Sequence, residues 1–333
     1  MAILKEELVE LQSRGMFNID NMIKDAMPTF TAPNIGVPSG FLDNLQKQAV
    51  FNIVNKRTAD LALGGRKKMI DWAENKQYIP IVERTGQTTP YSDFSMPLTS
   101  GANFNFNEVG HYRFSVSYQT GNLVSAQFSK LNMDYQAIVM GGATEALAIE
   151  LNRTAFNGYI ENSSQVFTCY GLLNNPELPR YEAADKTFDT MTWKEIVAFF
   201  AGAIAKLTAQ TGNNINADSN IRCVLAAKSY AILKSVFTDL SISVFQELKN
   251  TYPNMEFVSA IEFDNAYNNQ NVIYFIGENE AGGISQTADL GYSELALFSD
   301  IELAYYSKSQ AISAGTIGAI IYKPLYIVRY NNI

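Results

Sequence analysis

Two strand-like segments flank a long polar connection between residues 79 and 118, and a fold that contains this pattern must carry a projection. Residues 79–82 are apolar. Tyr112, Phe114, Val116 and Tyr118 alternate with Arg113, Ser115 and Ser117, the period-two pattern of a half-buried strand. These two segments are expected to pair as a long hairpin. Between them residues 85–101 carry Gly86, Pro90, Pro97 and Gly101, and Asn103-Phe104-Asn105-Phe106-Asn107 then resumes strict alternation. The connection is too long for a tight turn and reads as a projecting loop, an element that is usually functional.

The remaining segments divide by the same tests. Leu4, Leu8 and Leu11 fall at helical spacing, so residues 3–13 read as a short amphipathic helix closed by Gly15. Pro28, Pro33, Pro38, Gly36 and Gly40 predict an extended arm, which needs a partner surface because it has no core. Met140, Leu147, Leu151 and Ala155 form one stripe of a long helix over 134–156 that stops at Asn157-Gly158. Gly141-Gly142 inside it cost about 1 kcal/mol each against Ala, which implies a kink, a close helix crossing or a later helix start. Gly171-Leu172-Leu173-Asn174-Asn175-Pro176 reads as a tight reversal, with Pro176 ending regular structure and Asn174 able to bond its own backbone.

Thr192-Trp193-Lys194-Glu195 has the spacing of a capping box, and Ile196, Phe199, Phe200, Ala203 and Leu207 continue that helix to about Ala209. Apolar runs at 223–225, 257–258 and 272–276 alternate with helical patterns at 227–236 and 242–249, which gives this part α/β character. Strands return at 295–298, 301–306 and 319–330. Pro324 cannot donate to a ladder, so the last strand is expected at an edge or bulged.

A chain of 333 residues with 47% hydrophobic and 12% aromatic content can bury a sizeable core. Only 17% of it is charged, so much of the surface is neutral and polar, which suits large contacts with other chains. The net charge of -8 argues against a protein that grips nucleic-acid phosphate as its main task. Cys169 and Cys223 match no zinc spacing and read as free buried thiols. No apolar run is long enough for a transmembrane helix, and the first residues are unlike a secretory signal. Assembly in a cytoplasm is the default expectation.

No set of residues supports catalysis. His111 is the only histidine, which excludes two-histidine schemes. Pairing it with Ser115 or Ser117 leaves no orienting group, so a surface or hydrogen-bonded histidine is expected. Gly64-Gly65-Arg66-Lys67-Lys68 lacks the spacing of a phosphate loop and reads as a solvated basic turn that could touch nucleic acid or an acidic partner. Gly282-Gly283 lacks the rest of a dinucleotide fingerprint. Glu278, Glu280 and Asp289 could meet a hard cation but read as an acidic loop. Asp71 and Glu74 are spaced for one helix face beside Lys67 and Lys68 and read as a salt-bridged surface. Asn152-Arg153-Thr154 and Asn162-Ser163-Ser164 fit glycosylation sequons that count only after secretion. No metal or cofactor is expected.

The order of elements resembles the major capsid proteins of tailed bacteriophages, with their Hong Kong 97-type fold. The resemblance rests on the arm up to Gly40, the segment 79–118, the helix 134–156, the turn at Gly171-Leu172-Leu173-Asn174-Asn175-Pro176, the Thr192-Trp193 helix start and the C-terminal strands. It implies an α+β chain with an N-terminal arm (1–40), a connecting helical segment (41–77), an extended hairpin loop (78–120), a peripheral domain with a spine helix (121–190), an α/β axial domain (191–290) and strands returning to the peripheral domain (291–333). It implies self-assembly as pentamers and hexamers into an icosahedral shell around double-stranded DNA, located in the virion, with a portal and decoration proteins as partners. Tyr91, Phe94, Met96, Phe104 and Phe106 are then expected to anchor in a neighbouring subunit. Gly171, Asn174 and Pro176 would join the two domains, and Arg66, Lys67 and Lys68 could touch DNA. Some relatives carry a cross-linking lysine on the hairpin; here none occurs between Lys76 and Lys130, so contacts are expected to be non-covalent. The short segment before Phe41, beginning at Met1, leads to the expectation of a separate scaffolding protein. A nanocompartment shell of the same fold, a tail or baseplate protein and a hydrolase are the competing readings.

Overall fold

Two sheets, one two-stranded hairpin and six helices build the residues that the computed structural model describes: 57–89, 91, 93, 99–130, 133–160, 168–239, 241–279 and 286–333. The expected helix at 3–13, the arm, Phe94, Met96, Glu280, Gly282-Gly283 and the sequon at Asn162 lie outside the described residues. In chain order the elements are α1 (Ala59–Leu63), β1 (Arg66–Lys68), β2 (Lys76–Thr85), β3 (Gly101–Gly110), β4 (Tyr112–Gly121), α2 (Asn122–Lys130) and α3 (Tyr135–Asn157). There follow β5 (Glu182–Ala183), α4 (Trp193–Gln210), β6 (Asn220–Ala226), α5 (Ala227–Ser235), α6 (Val244–Thr251), β7 (Met255–Ala260), β8 (Val272–Glu278) and β9 (Ala288–Tyr292). The chain closes with β10 (Leu297–Phe298), β11 (Glu302–Ala304), β12 (Ser307–Ile321) and β13 (Ile327–Asn331).

The five-stranded sheet runs β5-β13-β8-β6-β7 and is covered on both faces. In β8, Ile273 and Phe275 pack with Phe200 and Leu207 of α4. The alternate residues Val272, Tyr274 and Ile276 pack with Phe156 of α3, Phe263 and Leu290. An uninterrupted apolar run is thus required, because each parity serves a different core. The capping box opens α4 as expected: Thr192 N–H donates to Glu195 Oε2 at 2.7 Å and Glu195 N–H to Thr192 Oγ1 at 3.4 Å. Hydrogen bonds from Lys186 and then from Thr192 hold the Glu195 carboxyl down to about 2.

The six-stranded sheet is organised on β12. β4 pairs with it antiparallel from Ser307↔Gly121 to Thr316↔Tyr112, while β9, β10 and β11 share its other edge. α3 covers this sheet, with Ala143 and Leu147 against Tyr118, Ile312 and Ala314. The alternation over 112–118 is therefore a strand with one covered face, as read. Its partner is not residues 79–82, however, but β12, and β2 pairs instead with β3. The apolar face of β4 needs α3 above it, and a hairpin projecting from the body cannot supply that cover.

Three further expectations change. α3 begins at Tyr135, capped by Asp134, and runs unbroken through Gly141-Gly142, so a later start is excluded. A Cβ built on either glycine meets nothing within 4 Å, so no close crossing with a described part of this chain explains them. Pro324 lies in a 3-10 turn between strands, and β13 is paired on both sides, neither an edge nor bulged there. Asp71 and Glu74 sit in a turn rather than on a helix, and Lys68 pairs with Glu294 instead.

Candidate functional site

The hairpin β2/β3 presents one apolar face to solvent. Val82 lies opposite Phe104 and Pro80 opposite Phe106, with Tyr78 next on the same side. Phe104 is 69% exposed, Phe106 62%, and Tyr78 and Val82 about half. Tyr91 in the connecting loop is 92% exposed, its hydroxyl donating to Asp93 Oδ1 at 2.6 Å. A two-stranded ribbon with two exposed phenylalanines is costly unless another chain covers it. Tyr78 and Val82 were missed in the sequence reading, and the period-two register that puts them on the face of Phe104 and Phe106 is the signal that would have found them.

At its base the hairpin is tied to the body. Ile79 and Val109 pack with Ile70, Ile317 and Ile320, and Asn107 Nδ2 donates to Glu177 Oε1 at 2.5 Å. Between the base, residues 175–177 and the end of β12 runs a groove of about 720 Å³, lined in part by Ile79, Tyr170 and Pro176.

The turn at Gly171–Pro176 does more than reverse the chain: it terminates α3. Gly158 N–H closes the last helical bond to Thr154. The three carbonyls beyond it each find a donor in the turn: Leu172 N–H to Ala155 O at 2.9 Å, Leu173 N–H to Phe156 O at 2.8 Å and Asn174 Nδ2 to Asn157 O at 2.5 Å. Asn174 Oδ1 in turn accepts from Gly171 N–H at 2.7 Å. From there the chain passes to β5 of the five-stranded sheet.

The basic trio is a strand rather than a turn. Gly64 and Gly65 make the turn, and Arg66, Lys67 and Lys68 form β1, parallel to β9. Arg66 makes a bidentate pair with Asp60, both contacts at 2.5 Å, and Lys68 pairs with Glu294 at 2.5 Å. The Asp60 hydrogen bonds raise the Arg66 guanidinium. Lys67 is exposed on the same strand.

Other residues singled out from the sequence have internal partners. Glu278 pairs with Arg222, which also donates to Ala62 O at 3.3 Å. Asp289 is buried, and burial pushes its carboxyl up despite a hydrogen bond from Tyr322. Cys169 and Cys223 are buried free thiols, as expected. Asn152 is buried with its Oδ1 accepting from Thr58 and Ala59 N–H groups, both at 3.1 Å, so it serves as the cap of α1. His111 is buried and bonds Ser293, neither Ser115 nor Ser117. No helix among the described residues is long and apolar enough to cross a membrane. A second exposed apolar surface, at Leu303, Tyr305, Tyr306 and Leu123, was not singled out from the sequence.

An exposed hairpin, a helix-covered sheet and an α/β sheet describe a subunit built for contact, and the sequence profile of the Pa193 gp26 major capsid protein family matches residues 28–332. The chain belongs to that family. Its fold is similar to those of many solved structures. The capsid of Myoviridae Phage XM1 superposes with a TM-score of 0.72 at 10% identity, covering 89% of this chain and 99% of that one. Gordonia phage Cozz gives 0.57 at 9% identity over 86% and 90%. The capsid of the native GTA particle gives 0.56 at 10% identity over 88% and 96%. No curated protein matches the chain in sequence. The capsid protein is thus a mixed helix-and-sheet subunit of a phage shell, oligomeric in that shell and located in the virion.

Proposed function

We propose that the chain adopts the Hong Kong 97-type arrangement and closes, as pentamers and hexamers, into an icosahedral shell that encloses double-stranded DNA. In this reading α3 is the spine helix, the five-stranded sheet with α4 to α6 is the axial domain, and the six-stranded sheet is the core of the peripheral domain. The turn at Gly171, Asn174 and Pro176 links the two while ending the spine helix. The role is structural, with no catalytic step.

The observation that carries the reading is the uncovered apolar face of the hairpin, at Tyr78, Pro80, Val82, Phe104 and Phe106. Repeated contact of such a face with the next copy builds a closed assembly when the rotation between copies closes. Contacts are non-covalent, and a separate scaffold, a portal and decoration proteins complete the particle. DNA is contained rather than gripped: Arg66 and Lys68 are already paired, which leaves Lys67 as the side chain of the trio best placed for phosphate. Electron microscopy of the purified assembly tests the proposal. Closed icosahedral particles containing DNA are expected; rings, tubes or small particles lacking DNA would overturn it.

A further inference from the structure

His111 sits where the hairpin meets the body. β3 ends at Gly110 and β4 begins at Tyr112, so this one residue separates the two-stranded hairpin from the six-stranded sheet. Its backbone N–H donates at 2.9 Å to the carbonyl of Asn75, the residue before β2, which ties both legs of the hairpin at one point. Its side chain is buried, with Nδ1 2.7 Å from the Glu74 carbonyl and Nε2 2.8 Å from Ser293 Oγ. A carbonyl only accepts, so Nδ1 carries the proton and Nε2 of the neutral ring accepts from the Ser293 hydroxyl.

Arg113 clamps the same turn. Its guanidinium donates to Trp72 O at 2.8 Å, to Asn75 Oδ1 at 3.1 Å and to the Glu74 carbonyl at 2.5 Å. Gly315 closes the roof: a Cβ there would lie 2.3 Å from Ser293 Oγ and 2.5 Å from His111 Nε2. The charged groups facing the ring are Arg113 from β4 and the Glu74 carboxylate from the turn. Trp72, Ser293 and Gly315 supply the other neighbours and carry no charge.

We propose that this joint is a proton-operated pin: neutral His111 locks the turn at residues 74–75 and Ser293 together at the foot of the hairpin, and protonation of His111 loosens that joint. A second ring proton turns Nε2 from acceptor to donor and forces the Ser293 hydroxyl to reverse. It also places an imidazolium in a closed site, with the Arg113 guanidinium on the same carbonyl oxygen. Burial is the main cause that lowers the imidazole below its ordinary value; the Glu74 hydrogen bond opposes it and Arg113 adds to it. The sign follows. As pH falls below about 6.5, the released state takes up the proton before the pinned state does, so the joint weakens from there downward and is unaffected above.

The proposal concerns the joint itself and stands whatever the hairpin touches in a shell. Amide hydrogen exchange on the full chain, corrected for intrinsic rates, tests it near pH 7.5 and about pH 5.5. Exchange at the joint amides, His111 N–H on Asn75 O and Gly110 N–H on Thr168 O, is expected to be faster at the lower pH, by at most about tenfold, with no matching change in α4. His111→Gln keeps a donor and an acceptor but cannot take the proton, and is expected to abolish the contrast. Equal corrected exchange at both pH values overturns the proposal, as does a His111→Gln protein that keeps the full contrast. Should that variant not fold, Ser293→Ala leaves the imidazole in place: faster exchange of the joint amides at the higher pH and a smaller contrast are expected, and an unchanged contrast overturns the pin.

Discussion

A methyl group at position 171 has nowhere to go: it would lie 2.3 Å from the Phe156 carbonyl oxygen and 2.4 Å from Gly158 N. Both are backbone atoms at the end of α3, so neither can rotate away. Gly171→Ala is expected to cost about 3 kcal/mol or more in denaturant unfolding. Asn174 is a milder and more informative position. Asn174→Ala removes one donor and one acceptor at a half-exposed site and is expected to cost about 1 kcal/mol. Asn174→Asp keeps the acceptor for Gly171 N–H but sets a carboxylate against the carbonyl end of α3, so it should unfold more readily than the Ala variant. An aspartate variant as stable as wild type would mean the bond to Asn157 contributes nothing. The reversal itself was legible, because Gly, Asn and Pro each have a local reason to be in a turn. What the turn serves was not, since the carbonyls it satisfies lie 17 residues upstream and no local pattern names them.

At the scale of elements, the hairpin and α3 make separate predictions. Phe104→Ser with Phe106→Ser removes the most exposed apolar side chains of β3 while leaving the body untouched. The double variant is expected to keep its melting temperature as an unassembled subunit but lose closed particles by sedimentation; normal particles would assign assembly to another surface. In α3, Gly141→Ala and Gly142→Ala each meet open space, so each should raise subunit stability by up to about 1 kcal/mol from helix propensity alone. Thermal melts check this, and a loss would point to a neighbour packed on those glycines. The existence of β4 was legible from its alternation, but its partner was not, because Phe104-Asn105-Phe106 and 112–118 carry the same period and only tertiary cover separates them. Most of β12 was invisible for a related reason. Ser307 to Gly318 is rich in small polar residues, since much of this strand is hydrogen-bonded on both edges and covered by α3, so fit matters more there than hydrophobicity.

For the whole molecule, the low charge fraction and the lack of any lysine on the hairpin beyond Lys76 at its base bear on how a shell holds together. With no lysine between Lys76 and Lys130, assembled particles boiled in detergent should run as monomer on a gel; a ladder of covalent oligomers would sink the non-covalent reading. The class of protein was legible from element order, because a projecting hairpin with two exposed phenylalanines has no place in a self-sufficient domain. The central role of β12 also has a cost in time. Tyr118 and its hydrogen-bond partner Gln310 are 192 residues apart, and every strand of the six-stranded sheet except β1 and β9 meets its partners only through β12. On a ribosome, β4 therefore emerges long before the strand it must join, with an unpaired edge and α3 lying on half a sheet. Closing so long a loop is slow, and the waiting edge can recruit other nascent chains. The rate at which usable subunits appear would then be set by release of the completed chain.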